Sequence, residues 1–276
     1  MTTAIPHHSI VVGVDGSTHA DRALRWAAAQ ARLERRPMIV AAVGTRHEQR
    51  LLDAALATAH EVAPDVAVTP VPAEGDAVEV LVDLSRNAHL VVVGSHGRGP
   101  VRSALLGSVS RGVAGRTHCP VVVCRPRVSG HGGRGVLVAV EAGAASAPVL
   151  DFAFAQASLH QQPLTALHCV WEPAAAAAGR RSTTLVSDDR GAGDDAHRRL
   201  AEALAGLAAT WPDVEVDQRV AHGFVEDVVG WRTAEWDLVV VGRRPVDDAR
   251  PHVATAVVER AQGVVAVVPV STGPGS

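Results

Sequence analysis

Lysine is absent: every one of the 26 residues counted as Lys plus Arg is an arginine. A phosphate loop of the G-x4-GK[ST] type therefore cannot exist here, and any grip on phosphate must come from backbone N–H groups, hydroxyls and arginine. Cysteine is scarce. Cys119, Cys124 and Cys169 are odd in number and lack C-x2-C spacing, which argues against a disulfide framework and suits reduced thiols in a cytosol. Long hydrophobic runs are missing too, since about 18 apolar residues in succession occur nowhere, and Met1 to His8 carry no basic leader region. A soluble, cytoplasmic protein without a membrane partner is expected. An excess of positive charge is also lacking: the formal charge is −3, which offers no field for a nucleic-acid backbone. Catalytic signatures are absent as well. There is no G-x-S-x-G elbow, no H-E-x-x-H and no His/Cys cluster at metal-ligand spacing, and the 14 histidines are scattered. No catalytic residue and no metal ligand is singled out.

What the chain does have is apolar content, 47% over 276 residues, enough for one large domain or two ordinary ones. It also repeats itself. Ala63-Pro64-Asp65-Val66 is echoed by Trp211-Pro212-Asp213-Val214, and Leu90-Val91-Val92-Val93-Gly94 returns as Leu238-Val239-Val240-Val241-Gly242 at the same spacing. Ile10 to Asp15 matches Val136 to Glu141 at a shorter spacing. Two tandem copies follow, with domains expected at residues 1–127 and 135–271 and a Gly-rich linker, Val128 to Arg134, between them. The second copy is longer by the stretch from Ala174 to roughly Asp195, whose composition reads as a mobile loop or lid.

Within each copy short apolar runs alternate with helical patterns. In the first, strands are expected at Ile10–Val14, Met38–Val43, Val66–Pro72, Leu90–Val93 and Val121–Arg125. Helices fall between them, the first opening on a capping box at Thr18 and Asp21 and stopped by Pro37. That order predicts an α/β fold, two tandem doubly wound domains each built on a five-stranded parallel sheet. Ligands of such sheets bind at the carboxyl ends of the strands.

The residues after Val93 read Gly94, Gly97 and then Gly107-Ser108, a G-x2-G-x9-G-S spacing between a buried strand and a helix. Gly94 there allows a close backbone approach or a positive φ, and Gly97 and Gly99 keep the loop low enough for an anion nest. Ser108 reads as the helix N-cap, opening a terminus that favours polyphosphate. The Ser108 and Ser110 hydroxyls could add donors, and His96, Arg98 and Arg102 could neutralise charge. Glycines that merely serve turns and helix packing are the alternative. Asp15 fits either a ribose contact or a turn and cap with Gly16-Ser17, and Val43 fits either an adenine wall or ordinary core.

The sequence resembles a tandem universal stress protein. The resemblance is carried by Val12-Gly13-Val14-Asp15-Gly16-Ser17, Gly94-Ser95-His96-Gly97, Leu106-Gly107-Ser108-Val109 and Cys119-Pro120-Val121-Val122-Val123, and it spans nearly the whole chain. It implies that the first copy binds ATP, with or without Mg2+. Phosphates would lie on Gly94, Gly97, Gly107, Ser108 and the backbone of Val109, ribose on Asp15 and adenine on Val43; Gly13 and Arg98 complete the candidate set. It further implies a nucleotide-dependent regulator in stress adaptation, acting on an unidentified protein partner. Association is expected through the last strands, Val121 to Val123 and Val264 to Val268, as an intramolecular pseudo-dimer, with a homodimer also plausible. A weak ATP hydrolase or nucleotidyl-transfer enzyme of the same fold is the alternative, and a nucleotide-free scaffold a third reading. Efficient phosphoryl transfer is not expected, because a Walker aspartate and its lysine are missing; slow hydrolysis is the most the residues suggest.

The second copy departs from the motif. Asp15 becomes Glu141, Gly242 is followed by Arg243-Arg244-Pro245, and His252-Val253 stand where Gly107-Ser108 would be. Proline has no N–H, and side chains occupy places where backbone would approach phosphate. This copy is expected to bind ATP poorly or not at all.

Overall fold

The computed structural model describes residues 6–44, 48–97, 106–126, 133–140, 146–170, 185–186, 193–244 and 253–270. Contacts divide the chain into two compact units, Met1–Pro126 and Arg127–Ser276.

The first unit runs β1 (Ser9–Val14), α1 (Thr18–Glu34), β2 (Met38–Val43), α2 (Glu48–Val62), β3 (Val68–Ala73), α3 (Ala77–Ser85), β4 (Ala88–Gly94), α4 (Ser108–Arg116) and β5 (Val121–Cys124). Its strands lie in the order β3-β2-β1-β4-β5 and every pair is parallel. Ile10, Val11 and Val12, with Val91 and Val92 beside them, are wholly buried, as befits central strands covered on both faces. At the edge, β3 carries Pro70 and Pro72, which a strand paired on one side tolerates. The chain steps from β1 outward to β2 and β3 and then crosses to β4 on the other side of β1. The switch point of the sheet therefore lies between the carboxyl ends of β1 and β4.

One boundary of α1 differs from the sequence reading. Ser17, not Thr18, caps α1, its hydroxyl accepting the Ala20 N–H at 3.2 Å. A hydroxyl one residue earlier reaches that amide because Gly16, at φ 80°, turns the chain back over the helix end. Pro37 stands just beyond the end of α1, as a stopping proline does. The helix ends at Arg35, left-handed at φ 54°, and in the second unit Gln161 repeats that stop at φ 52°. Duplication thus extends to the backbone of the helix caps.

The second unit runs β6 (Val136–Val140), α5 (Ala147–His160), β7 (Leu164–Val170), β8 (Leu185–Val186), α6 (Gly193–Thr210), β9 (Val216–His222), α7 (Val225–Val229) with a 3-10 turn at Gly230–Glu235, β10 (Leu238–Arg243), α8 (Val253–Arg260) and β11 (Val264–Pro269). Strand order here is β11-β10-β6-β7-β9-β8. Five strands are parallel, and β8 adds a sixth, antiparallel to β9. The inserted stretch is thus not wholly loop: Leu185 and Val186 pair with Ala221 and Val220, and α6 begins at Gly193. An apolar pair meeting an open strand edge explains the pairing. The rest of the insertion, residues 174–184 and 187–192, lies outside the described residues.

Candidate functional site

At the switch point of the first unit a cleft of about 710 Å³ opens, within the range of about 300–1,000 Å³ usual for small-molecule sites. Gly13, Asp15, Val43, Gly94, Gly97, Gly107, Ser108 and Val109 all line it. Topology brings together residues spread across the unit's sequence. Arg98, Arg102 and Gly99 lie outside the described residues.

One end of the cleft is apolar. Val43 closes β2 beside Ala41, and Leu81 of α3 and Leu106 face the same space. Val43 is only half-buried where the preceding residues of β2 are buried, so it leaves the core and becomes wall. Leu106 stands in the motif segment, which does not mark it as wall. Leu81 and Ala77 carry no motif, and the sequence reading missed them. Only the crossover that carries α3 over the sheet beside β1 places them here.

The other end is main chain. Helix α4 starts from Gly107, at φ −63° and ψ 155°, with no side-chain cap. Ser108 is therefore the first helical residue rather than the N-cap. The N–H groups of Ser108, Val109 and Ser110 consequently have no intrahelical acceptor and stand at the positive end of the helix dipole. Ser110 adds no hydroxyl to the cleft, because its Oγ–H is committed to the Gly94 carbonyl at 2.6 Å in a buried bond.

The three motif glycines act by close approach. None has a positive φ. A Cβ on Gly94 would sit 2.6 Å from both the carbonyl carbon and oxygen of His19, so the bare Cα lets β4 end against the first turn of α1. On Gly107 it would lie 3.3 Å from His96 Cα and from the Ser95 carbonyl oxygen, which accepts the Gly107 N–H at 2.9 Å. On Gly97 it would meet Asp15 Oδ2 at 2.7 Å. This packing draws the α4 terminus, the Ser95–Gly97 segment and Asp15 around one space. Asp15 is both turn and wall, since Oδ1 accepts the Ser17 N–H at 2.9 Å while the residue faces the cleft.

Ser17 also donates its hydroxyl to the His96 carbonyl at 3.4 Å, and Ser95 Oγ lies 3.1 Å from Nδ1 of both His19 and His96. Burial, the neighbouring His96 and the cations Arg22 and Arg125 push His19 below the usual imidazole range, with Asp15 opposing. No spacing in the sequence pointed to His19. Cys124, at the end of β5, is buried and its thiol is pushed up to about 12, so it brings no nucleophile to this region.

At the corresponding place in the second unit the described residues leave little room. Only about 50 Å³ remains among the described residues, lined by Ser146, Val149, Gly242, Arg244 and Val270 among others. A Cβ on Gly242 would meet the side chains of Val149 and Val270 at 3.0 and 3.4 Å, so aliphatic groups stand beside that strand end where Gly94 meets the His19 backbone. Burial lowers the Arg243 guanidinium from its usual range. Glu141, Pro245 and His252 lie outside the described residues.

A model of the "Universal stress protein family" matches residues 34–125, within the first unit. A universal stress protein of Mycobacterium tuberculosis (strain H37Rv) is 34% identical over 268 residues, an alignment covering 85% of this chain and 86% of that protein. The chain belongs to the universal stress protein family. Among solved structures, a functionally unknown protein from Pseudomonas aeruginosa PAO1 shares the fold at 18% identity and a TM-score of 0.65, over 96% of this chain and 93% of that one. A universal stress protein from Archaeoglobus fulgidus matches at 17% identity and a TM-score of 0.62, over 96% and 99%. Both units are thus represented in single chains of this family and fold. Among the described residues, no helix is long and apolar enough to cross a membrane.

Proposed function

We propose that the first unit binds an adenine nucleotide, ATP in the first instance, and that the protein is a nucleotide-dependent regulator in stress adaptation. The observation that carries this reading is the union, at one switch point, of a cleft of about 710 Å³ with the amide end of α4. The triphosphate would lie on the N–H groups of Ser108, Val109 and Ser110, where backbone donors and the helix dipole favour anionic oxygen. Asp15 would accept hydrogen bonds from the ribose hydroxyls, and adenine would lie between Val43, Ala41 and Leu81. Any Mg2+ would arrive with the phosphates. The second unit, with about 50 Å³ at the same place, is proposed not to bind ATP.

A site with an anion cradle and no lysine holds a nucleotide without a strong means of activating it, so occupancy rather than turnover is the proposed signal. Mass-spectrometric identification of nucleotide released from freshly purified protein, with calorimetric titration of stripped protein by ATP, tests the binding. Release of ADP, or of AMP with pyrophosphate, at catalytic rates would favour an enzyme instead. Absence of co-purified nucleotide together with no thermal shift on adding ATP would leave a scaffold.

A further inference from the structure

Beside the phosphate end of the cleft, two imidazoles share one buried hydroxyl. Ser95 follows β4, and its Oγ stands 3.1 Å from Nδ1 of His19, on the first turn of α1, and 3.1 Å from Nδ1 of His96. The two ring centroids are 5.1 Å apart. A serine hydroxyl has one proton to give. In the neutral pair, therefore, one ring donates Nδ1–H to Oγ and the other accepts Oγ–H at its Nδ1. One added proton fits the same geometry, for the resulting cation donates to Oγ while Oγ–H still donates to the neutral ring. Two do not fit. Both rings would then donate to Oγ, the hydroxyl proton would lose its acceptor, and two like charges would face each other at close range. The pair accommodates no added proton, or one.

Its surroundings decide which. Asp15 faces it from the turn after β1, Arg22 from α1 and Arg125 from the segment after β5, while Arg111 of α4 lines the adjoining cleft. The balance of these groups is cationic, and His19 is biased toward its neutral form principally by burial, with His96, Arg22 and Arg125 adding to it. His96 itself belongs to the cleft wall, next to Gly97 and packed on Gly107 at the head of α4. An anionic phosphate chain on that helix end would bring the counter-charge that an added proton requires.

We propose that the Ser95-bridged pair of His19 and His96 takes up one proton when a polyphosphate enters the cleft, so that the site grades nucleotides by phosphate charge and grips a triphosphate more tightly as pH falls. This rests on nucleotide binding by the first unit. In the bridged pair either ring can carry the added proton, so only removing both imidazoles breaks the linkage.

The test is calorimetry on the full chain with ATP and with adenosine, between about pH 6 and pH 8, where imidazoles titrate, in buffers of different ionisation enthalpy. ATP's terminal phosphate titrates in the same window, so the quantity read is proton uptake in excess of the nucleotide's own. Wild type should take up about one excess proton, and its ATP affinity should rise by up to about tenfold per pH unit beyond that of the variants, the ceiling for one linked proton. The double variants His19→Gln/His96→Gln and His19→Ala/His96→Ala should each lose the excess while their thermal transitions show them folded, and adenosine affinity should not vary with pH in any of them. ATP bound by wild type without excess uptake, or uptake retained in folded variants, overturns the proton linkage alone. Folded wild type that binds adenosine or ATP at no pH overturns the linkage and the nucleotide reading together.

Discussion

Gly107→Val separates a phosphate cradle from a merely well-packed loop. At φ −63° and ψ 155° the backbone of Gly107 is open to any L residue, so valine brings no conformational strain and acts through contact alone. Its Cβ begins 3.3 Å from two main-chain atoms, His96 Cα and the Ser95 carbonyl oxygen, and two methyl groups reach about 1.5 Å further. Backbone cannot rotate aside as a side chain can. The head of α4 must therefore move outward by at least a few tenths of an ångström, weakening the 2.9 Å bond from Gly107 N–H to Ser95 and carrying the amides of Ser108 to Ser110 off their aim. Overpacking of this kind costs about 1–3 kcal/mol of fold stability. Hydrogen bonds to charged groups are worth about 1.5–3 kcal/mol each, so losing two weakens ATP binding by about a hundredfold to ten-thousandfold. Titration calorimetry of ATP and adenosine against wild type and variant reads this directly, with a thermal melt to confirm folding. ATP should suffer far more than adenosine, whose base and ribose lie at the other end of the cleft. A folded variant with unaltered ATP affinity, or equal losses for both ligands, would refute the placement of the triphosphate.

Binding should saturate at one ATP per chain, since among the described residues a cleft of nucleotide size opens in the first unit and only about 50 Å³ at the matching place in the second; two equivalent sites by calorimetry would contradict this. Acid should destabilise the first unit through Glu34. Burial alone would raise its carboxyl, but hydrogen bonds from His89 and Gln30 and the charges of His89 and Arg36 outweigh it and hold the group below 4.5. A depressed folded-state pKa contributes stability that is present above the unfolded value and lost as pH falls through the folded one. Urea melts of wild type should therefore lose stability below about pH 4.5, the ordinary glutamate range, and Glu34→Gln should flatten that limb; parallel curves would argue against the assignment. All three thiols are pushed up to about 12 by burial. A disulfide reagent at neutral pH should leave them unreacted in the native protein and titrate three on unfolding, whereas fast native labelling would show that one is accessible as thiolate.

The doubly wound order and the second copy were legible from apolar runs and self-similarity, because central strands buried on both faces must be continuously apolar. Strand ends were less so. β3 was expected to begin at Val66, yet it begins at Val68, after the turn in which the Val66 N–H bonds to the Ala63 carbonyl. Caps shifted by one residue at Ser17 and Gly107: at α1 the Ser17 hydroxyl takes the Ala20 amide, whereas α4 starts from Gly107 with no side-chain cap at all. The pairing of Leu185 and Val186 with β9 is a long-range contact that composition could not foretell.

At the site, the residues that spacing marks are those that act through the main chain, while His19 and Leu81 arrive from other crossovers. Spacing encodes the first kind because a missing Cβ is visible in sequence; the second depends on which face of a helix meets the sheet. The motif glycines join the two kinds. Gly94 exists for contact with the His19 backbone, and that contact holds the His19 ring beside Ser95. Gly94→Ala, with its Cβ 2.6 Å from the His19 carbonyl group, should therefore disturb both the strand–helix junction and the bridged imidazoles. Its effect on pH-linked ATP affinity should exceed its effect on adenosine binding. A variant that melts lower yet keeps the full pH linkage would show that the junction and the imidazole pair are independent.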